Sequence, residues 1–144
     1  MATAGGNGEA GGKPNIGVQP IIYGRRGGED LPGVLEEIRR TGYDGFESGN
    51  LYPRYSRDQV QDLLSSTGLK VSGVHSGFGD VADPGKVESA VEFLKDVDAR
   101  YLMVIGVGDL KQGLAAYDSA IEVFEKAGEL CRSEGIDFCY HNHA

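Results

Sequence analysis

Apolar residues along this chain switch repeatedly between two spacings. Residues 16–23 form a β-rich apolar run closed by Gly24. Leu31, Val34, Leu35 and Ile38 then recur at helical spacing, with Gly42 as a C-terminal stop. Residues 43–48 read as a short strand, and Ser56 as the N-cap of a helix carrying Val60, Leu63 and Leu64 and ending at Gly68. A third strand covers residues 69–75, followed by Gly77 and Gly79. Asp83 and Pro84 open a third helix whose buried side is Val87, Val91, Phe93 and Leu94. Residues 100–105 predict a fourth strand, closed by Gly106 and Gly108. Residues 115–133 predict a fourth helix, with Ala120, Ile121, Phe124 and Ala127 as its stripe. Gly135 ends that helix, and residues 136–143 complete the pattern as a fifth strand.

This βαβαβαβαβ order, with short connections, implies a parallel sheet covered by helices. An open doubly wound sheet and a barrel both fit. The doubly wound nucleotide folds carry a Gly fingerprint directly after the first strand. Here that position reads Tyr23, Gly24, Arg25, Arg26, Gly27, Gly28, which is Gly-rich but not GxGxxG. Gly106, Val107, Gly108 after the fourth strand lacks a third glycine and is followed by acidic Asp109. Residues 1–14 offer almost nothing to bury and are expected to be a disordered Gly-rich tail. Residues 15–144 form the folded unit.

Composition narrows the function. Hydrophobic residues make up 40% of the 144 and charged residues 25%, a soluble globular balance in a chain long enough for a core. The net charge of −8 disfavours nucleic acid, which needs a basic surface to displace counterions, and disfavours an anionic membrane. No apolar run approaches the ~20 residues of a transmembrane helix. Without a signal-peptide pattern at the N-terminus, a cytoplasmic location is expected. Cys131 and Cys139 form no CxxC and read as two reduced thiols.

The candidate chemistry lies at strand ends. In a parallel barrel the site forms where the strands end, at their C-terminal edge. Glu47 ends the second predicted strand, His75 the third, and His141 and His143 the fifth; all three histidines of the chain are thus strand-end residues. Side chains alternate along a strand, so Gly45 shares a face with Glu47, Gly73 with His75, and Cys139 with His141 and His143. Small residues below polar strand ends suit an interior that opens into a pocket. Two imidazoles on one strand face are costly to bury without partners, which points to a ligand or substrate contact. Tyr52, Pro53, Arg54 and Tyr55 form an aromatic and basic loop, readable either as a substrate lid or as a plain connection.

Four segments carry a family resemblance: IGVQPIIYG at 16–24, TGYDGFE at 41–47, GLKVSGVHSGF at 68–78, and above all EGIDFCYHNH at 134–143. Together they resemble the sugar phosphate isomerase/epimerase family, the xylose isomerase-like TIM barrels, with the chain corresponding to the N-terminal half of an α/β (β/α)8 barrel. The resemblance implies a partial barrel of about four βα units plus a fifth strand. It implies a sugar isomerase or epimerase that moves a proton between adjacent carbons through an enediolate, with a divalent metal (Mn, Co, Zn or Mg) holding vicinal substrate oxygens. In its terms Glu47 is a catalytic carboxylate, His141 a metal ligand, and His75, His143 and Tyr23 substrate contacts. Position 141 is a glutamate in many relatives, and a histidine there favours Mn, Co, Zn or Fe over Mg.

The expected partner is therefore a small sugar or polyol, with no nucleic acid and no membrane. An inosose dehydratase-like lyase and a non-catalytic half barrel are the alternatives. Half a barrel leaves apolar strand edges open, so either further chain or a second copy in a homo-oligomer is expected to cover them. The 144-residue chain alone is expected to be inactive.

Overall fold

Local chemistry sets where the helices Leu31–Thr41 and Arg57–Thr67 start and stop. A computed structural model describes residues 14–142. Residues 1–13 of the expected tail, and His143, lie outside the described residues. Five strands, β1 (Gly17–Val18), β2 (Gly45–Ser48), β3 (Lys70–Gly77), β4 (Tyr101–Ile105) and β5 (Asp137–His141), form one parallel sheet in sequential order. Six helices accompany them: α1 (Arg25–Glu29), α2 (Leu31–Thr41), α3 (Arg57–Thr67), α4 (Phe78–Val81), α5 (Pro84–Asp96) and α6 (Leu114–Ser133). The Asp30 carboxylate accepts from Gly33 N at the start of α2. Ser56 and Gln59 bond reciprocally across the first turn of α3. Gly42 and Gly68 close α2 and α3 in the left-handed conformation, where a side chain would be strained.

Strand order β1-β2-β3-β4-β5, each pair parallel and joined by a helical crossover, is the arrangement of one side of a barrel rather than of a doubly wound sheet, whose order reverses. Partners in register present side chains to the same face. One face carries Phe46, Val74, Leu102 and Val104, essentially inaccessible to solvent and packed in one core with Val34, Leu35 and Ile38 of α2 and Phe93 and Leu94 of α5. The other face carries Glu47, Gly73, His75, Met103, Ile105, Cys139 and His141.

A slip in register decides which face His75 joins. Phe46 pairs with Val71, but the next residue, Glu47, pairs with Gly73, so Ser72 has no partner on β2. Its hydroxyl donates to the Phe46 carbonyl (3.1 Å). This bulge puts Val71 on the helix side while Gly73 and His75 turn to the other face.

The first strand departs from expectation. The run 16–23 pairs with β2 only at Gly17 and Val18, and residues Pro20–Tyr23 wind into a 3-10 helix. Pro20 has no N–H for a ladder and a φ preset for the first turn of a helix, so it ends the strand. Residues 25–29, expected as loop, form α1, and residues 78–81 form α4. Both thiols are free, Cys131 buried and Cys139 half-buried; burial pushes the Cys131 thiol up to about 11. Among the described residues no helix is long and apolar enough to cross a membrane.

Candidate functional site

Three polar side chains from three consecutive strand ends meet at one oxygen. Gln19, directly after β1, donates from Nε2 to Glu47 Oε1 (2.7 Å), and His75 Nδ1 lies 2.7 Å from the same oxygen. Gln19 Nε2 and His75 Nδ1 are themselves 2.9 Å apart, within hydrogen-bonding distance, so the three atoms close a triangle. A carboxylate can only accept, so the tautomer that satisfies it carries the imidazole proton on Nδ1. That leaves the His75 Nε2 lone pair available. Glu47 Oε2 has no hydrogen-bond partner among the described residues. The Glu47 and His75 side chains are 22% and 18% exposed, so salt screens this pair less than a surface ion pair.

The backbone beneath makes room for this cluster. A Cβ on Gly45 would stand 2.4 Å from the Lys70 carbonyl oxygen, and one on Gly73 would stand 2.7 Å from that of Tyr101. Only glycine lets neighbouring strands approach so closely under Glu47 and His75. His141 completes the mouth from β5: its ring centroid lies 5.0 Å from that of His75, the planes tilted by 60°. Gln19, Glu47, His75, Ile105 and His141 line a cavity of about 600 Å³ at the C-terminal edge of the sheet, a size usual for small-molecule sites.

The strand ends thus bring together Glu47, His75 and His141. Tyr23 stands apart: it sits on the 3-10 helix after β1, half-buried against the main core, with the Arg26 guanidinium 5.8 Å above its ring. It does not line the cavity. His143 lies outside the described residues. Gln19 was not among the sequence candidates. The signal was Pro20: once it ends the strand, Gln19 becomes the polar strand-end residue that matches Glu47 and His75.

The aromatic loop is fastened rather than free. The Tyr52 hydroxyl donates to Asp96, and its ring meets Phe93 edge-on (centroids 5.1 Å, 83°). Arg57 pairs with Asp96 (3.0 Å) and Glu92 and lies over the Tyr52 ring. Partial burial first, then the bond to Asp96 and its charge, push the Tyr52 hydroxyl up to about 12.

Among the described residues no group of three or more His, Cys, Asp or Glu side chains is placed to hold a metal ion. Glu47 Oε1 and His75 Nδ1 are spent on each other. His141 and the remaining atoms of that pair are an incomplete donor set for the divalent metal the resemblance implies.

Comparison with known proteins agrees with this fold. Residues 35–144 match the family model described as xylose isomerase-like TIM barrel. An inosose dehydratase of Geobacillus thermodenitrificans (strain NG80-2) is 23% identical over 158 residues, an alignment taking in 91% of this chain and 52% of that protein. A sugar phosphate isomerase/epimerase from Parabacteroides distasonis ATCC 8503 superposes with a TM-score of 0.71 at 17% identity, over 94% of this chain and 53% of that one. D-psicose 3-epimerase from Clostridium cellulolyticum H10 gives 0.65 at 16% identity, over 88% and 52%. The chain spans about half the length of these relatives. At such identities the solved structures speak for the fold alone.

Proposed function

Because the chain belongs to the xylose isomerase-like TIM barrel family, we propose that its strand-end cluster serves proton transfer beside a carbonyl in a sugar or polyol, as in an isomerase or epimerase. The observation that carries this reading is the Gln19–Glu47–His75 cluster at the C-terminal edge of a parallel sheet, beside a cavity of ligand size. Glu47 is the proposed base. Two donors hold Oε1 in place, and Oε2 is left to take a proton. His75 Nε2 is the proposed acceptor for a substrate hydroxyl, and His141 a further polar contact at the mouth. His143 and Tyr23 remain proposed substrate contacts, Tyr23 only through a change of position.

In the proposed step the substrate C–H bond breaks and its proton passes to Glu47. The electron pair moves into the carbon–carbon bond as the carbonyl becomes an enediolate. Return of the proton to the neighbouring carbon, as the hydroxyl proton passes from one oxygen to the other, gives the isomer, and protonation of the same carbon by an acid on its opposite face gives the epimer. No step here is drawn through a metal, because the described donors form an incomplete set. A second reading, a dehydratase, is favoured by the inosose dehydratase relative. It shares the proton abstraction, but the intermediate then expels a hydroxyl from the next carbon, which takes up the proton held by Glu47 and leaves as water.

The test uses the intact polypeptide as its native host makes it, with Mn2+ supplied, and a panel of ketoses, aldoses and inososes in deuterated water. Isomerase or epimerase action gives substrate-carbon deuterium at constant composition, while dehydratase action gives loss of water. Glu47→Gln is expected to slow exchange by about 10²-fold or more while the thermal midpoint stays within a few degrees. No exchange with any member of the panel would overturn the proposal.

A further inference from the structure

A second cavity, of about 460 Å³, adjoins the first, and Gly49 and His75 line both. It lies on the helix side of the β3 end, between the loop after β2 and the N-terminal turns of α5. Its floor is apolar: Val81, Val87, Ala90 and Leu102 are all buried. Its rim is neutral and holds unspent hydrogen-bonding capacity. Asn50 Nδ2 donates one proton to Ser89 Oγ (2.9 Å), which leaves its second proton and the Ser89 hydroxyl proton without an acceptor among the described residues. The Ser76 hydroxyl has no side-chain partner among them either. The two charges at the rim, Lys86 and Asp80, neutralise each other at 2.8 Å.

We infer that this cavity is a specificity pocket for a neutral hydroxylated ring attached to the reacting sugar, so that the substrate is a glycoside rather than a free monosaccharide or a sugar phosphate. The inference rests on the proposed function, since the first cavity must hold the reacting carbons. A sugar ring presents C–H groups on its faces and hydroxyls around its edge. An apolar floor under a rim of Asn and Ser donors matches both surfaces, and the hydroxyls gain partners in place of water. A phosphate does not suit the same rim: its nearest cation is already paired with Asp80, whose carboxylate would repel a phosphoryl group. Volumes of about 600 and 460 Å³, with Gly49 and His75 in both linings, offer each ring its own compartment.

Binding to the full chain can be followed by protein-observed NMR, with glucose, glucose 6-phosphate, maltose, trehalose and sucrose as probes. At least one disaccharide is expected to bind tenfold or more tightly than glucose and to shift Ser89 and Ala90 together with His75. Ala90→Phe, which fills the floor, removes that tenfold gain and leaves the glucose affinity unchanged. Should Ala90→Phe fail to fold, Ser89→Ala and Ser76→Ala at the rim are each expected to reduce the gain about threefold with the spectrum otherwise intact. Equal affinity for glucose and every disaccharide overturns the inference but leaves the proposed function standing, as does tightest binding by glucose 6-phosphate that Lys86→Ala abolishes. Shifts at neither cavity with any sugar overturn both.

Discussion

The two faces of the sheet follow different rules. On the helix side, Phe46, Val74, Leu102 and Val104 are closed over by α2 and α5, and the positions that carry the core are apolar. On the opposite side, Tyr101 is 46% exposed, Met103, Ile105 and Cys139 are half-covered, and the polar strand ends hold one another in place. The first face is defined by exclusion of water, which is non-directional and tolerates exchange among apolar residues of similar volume. The second is defined by directional bonds to a single carboxylate oxygen, where each atom has one role. Stability and the proposed chemistry are therefore assigned to opposite faces of the same strands.

The sharpest way to break this comparison is to truncate one residue on each face. Phe46→Ala should cost about 3–5 kcal/mol in urea unfolding, as for a fully enclosed aromatic. Met103→Ala, half-covered on the other face, should cost under about 1.5 kcal/mol. Equal costs would mean that the second face is as closed as the first. Gly73→Ala comes next, at about 1–3 kcal/mol. Its new methyl meets the Tyr101 backbone oxygen and the Met103 methyl. The side chain can turn aside but the strand cannot, so the shift should also appear at the His75 ring in an NMR spectrum. Exchange of Glu47 for Gln should act in the opposite sense, with a large loss in proton exchange and a small one in stability.

The smallest expected effect lies in pH dependence, away from both faces. An unfolded tyrosine ionises near about 10, whereas Tyr52 in the folded chain is pushed up to about 12. Between those values the unfolded chain has released a proton that the folded chain retains. The contribution of Tyr52 to stability is thus whole below about pH 10 and declines as pH rises toward about 12. Tyr52→Phe should flatten that part of a stability-versus-pH curve. A curve unchanged by the substitution would show that the loop is not fastened through this hydroxyl.

Much of the fold was legible because burial leaves a period. The 3.6-residue stripes of α2 and α5 and the apolar runs of β3 and β4 are the record of elements with one covered side, whereas in α6 Ala120 and Ala127 are buried but Ile121 of the expected stripe is exposed. Glu47, His75 and His141 were legible as strand-end residues for the same reason: parity follows from the pleat. Gln19 was missed because the apolar run 16–23 continues through Pro20, Ile21 and Ile22, although Ile21 and Ile22 are both well exposed. Hydrophobicity there did not signal burial, and the proline was the better guide.

The sequence by itself determined the alternation of elements, the helix boundaries set by Ser56, Asp83, Gly42 and Gly68, and the kind of residue at each strand end. These depend on contacts within a few positions along the chain, where the pattern and the interaction share one scale. Only the tertiary structure decided that Ser72 bulges, that Gln19 and His75 converge on one oxygen of Glu47, that Tyr23 turns away from that cluster, and that two cavities meet at His75. The bulge and the convergence depend on strands brought together from residues 26 to 56 positions apart. At that separation a slip of one residue in register turns a side chain to the other face, and nothing in the local pattern records the slip.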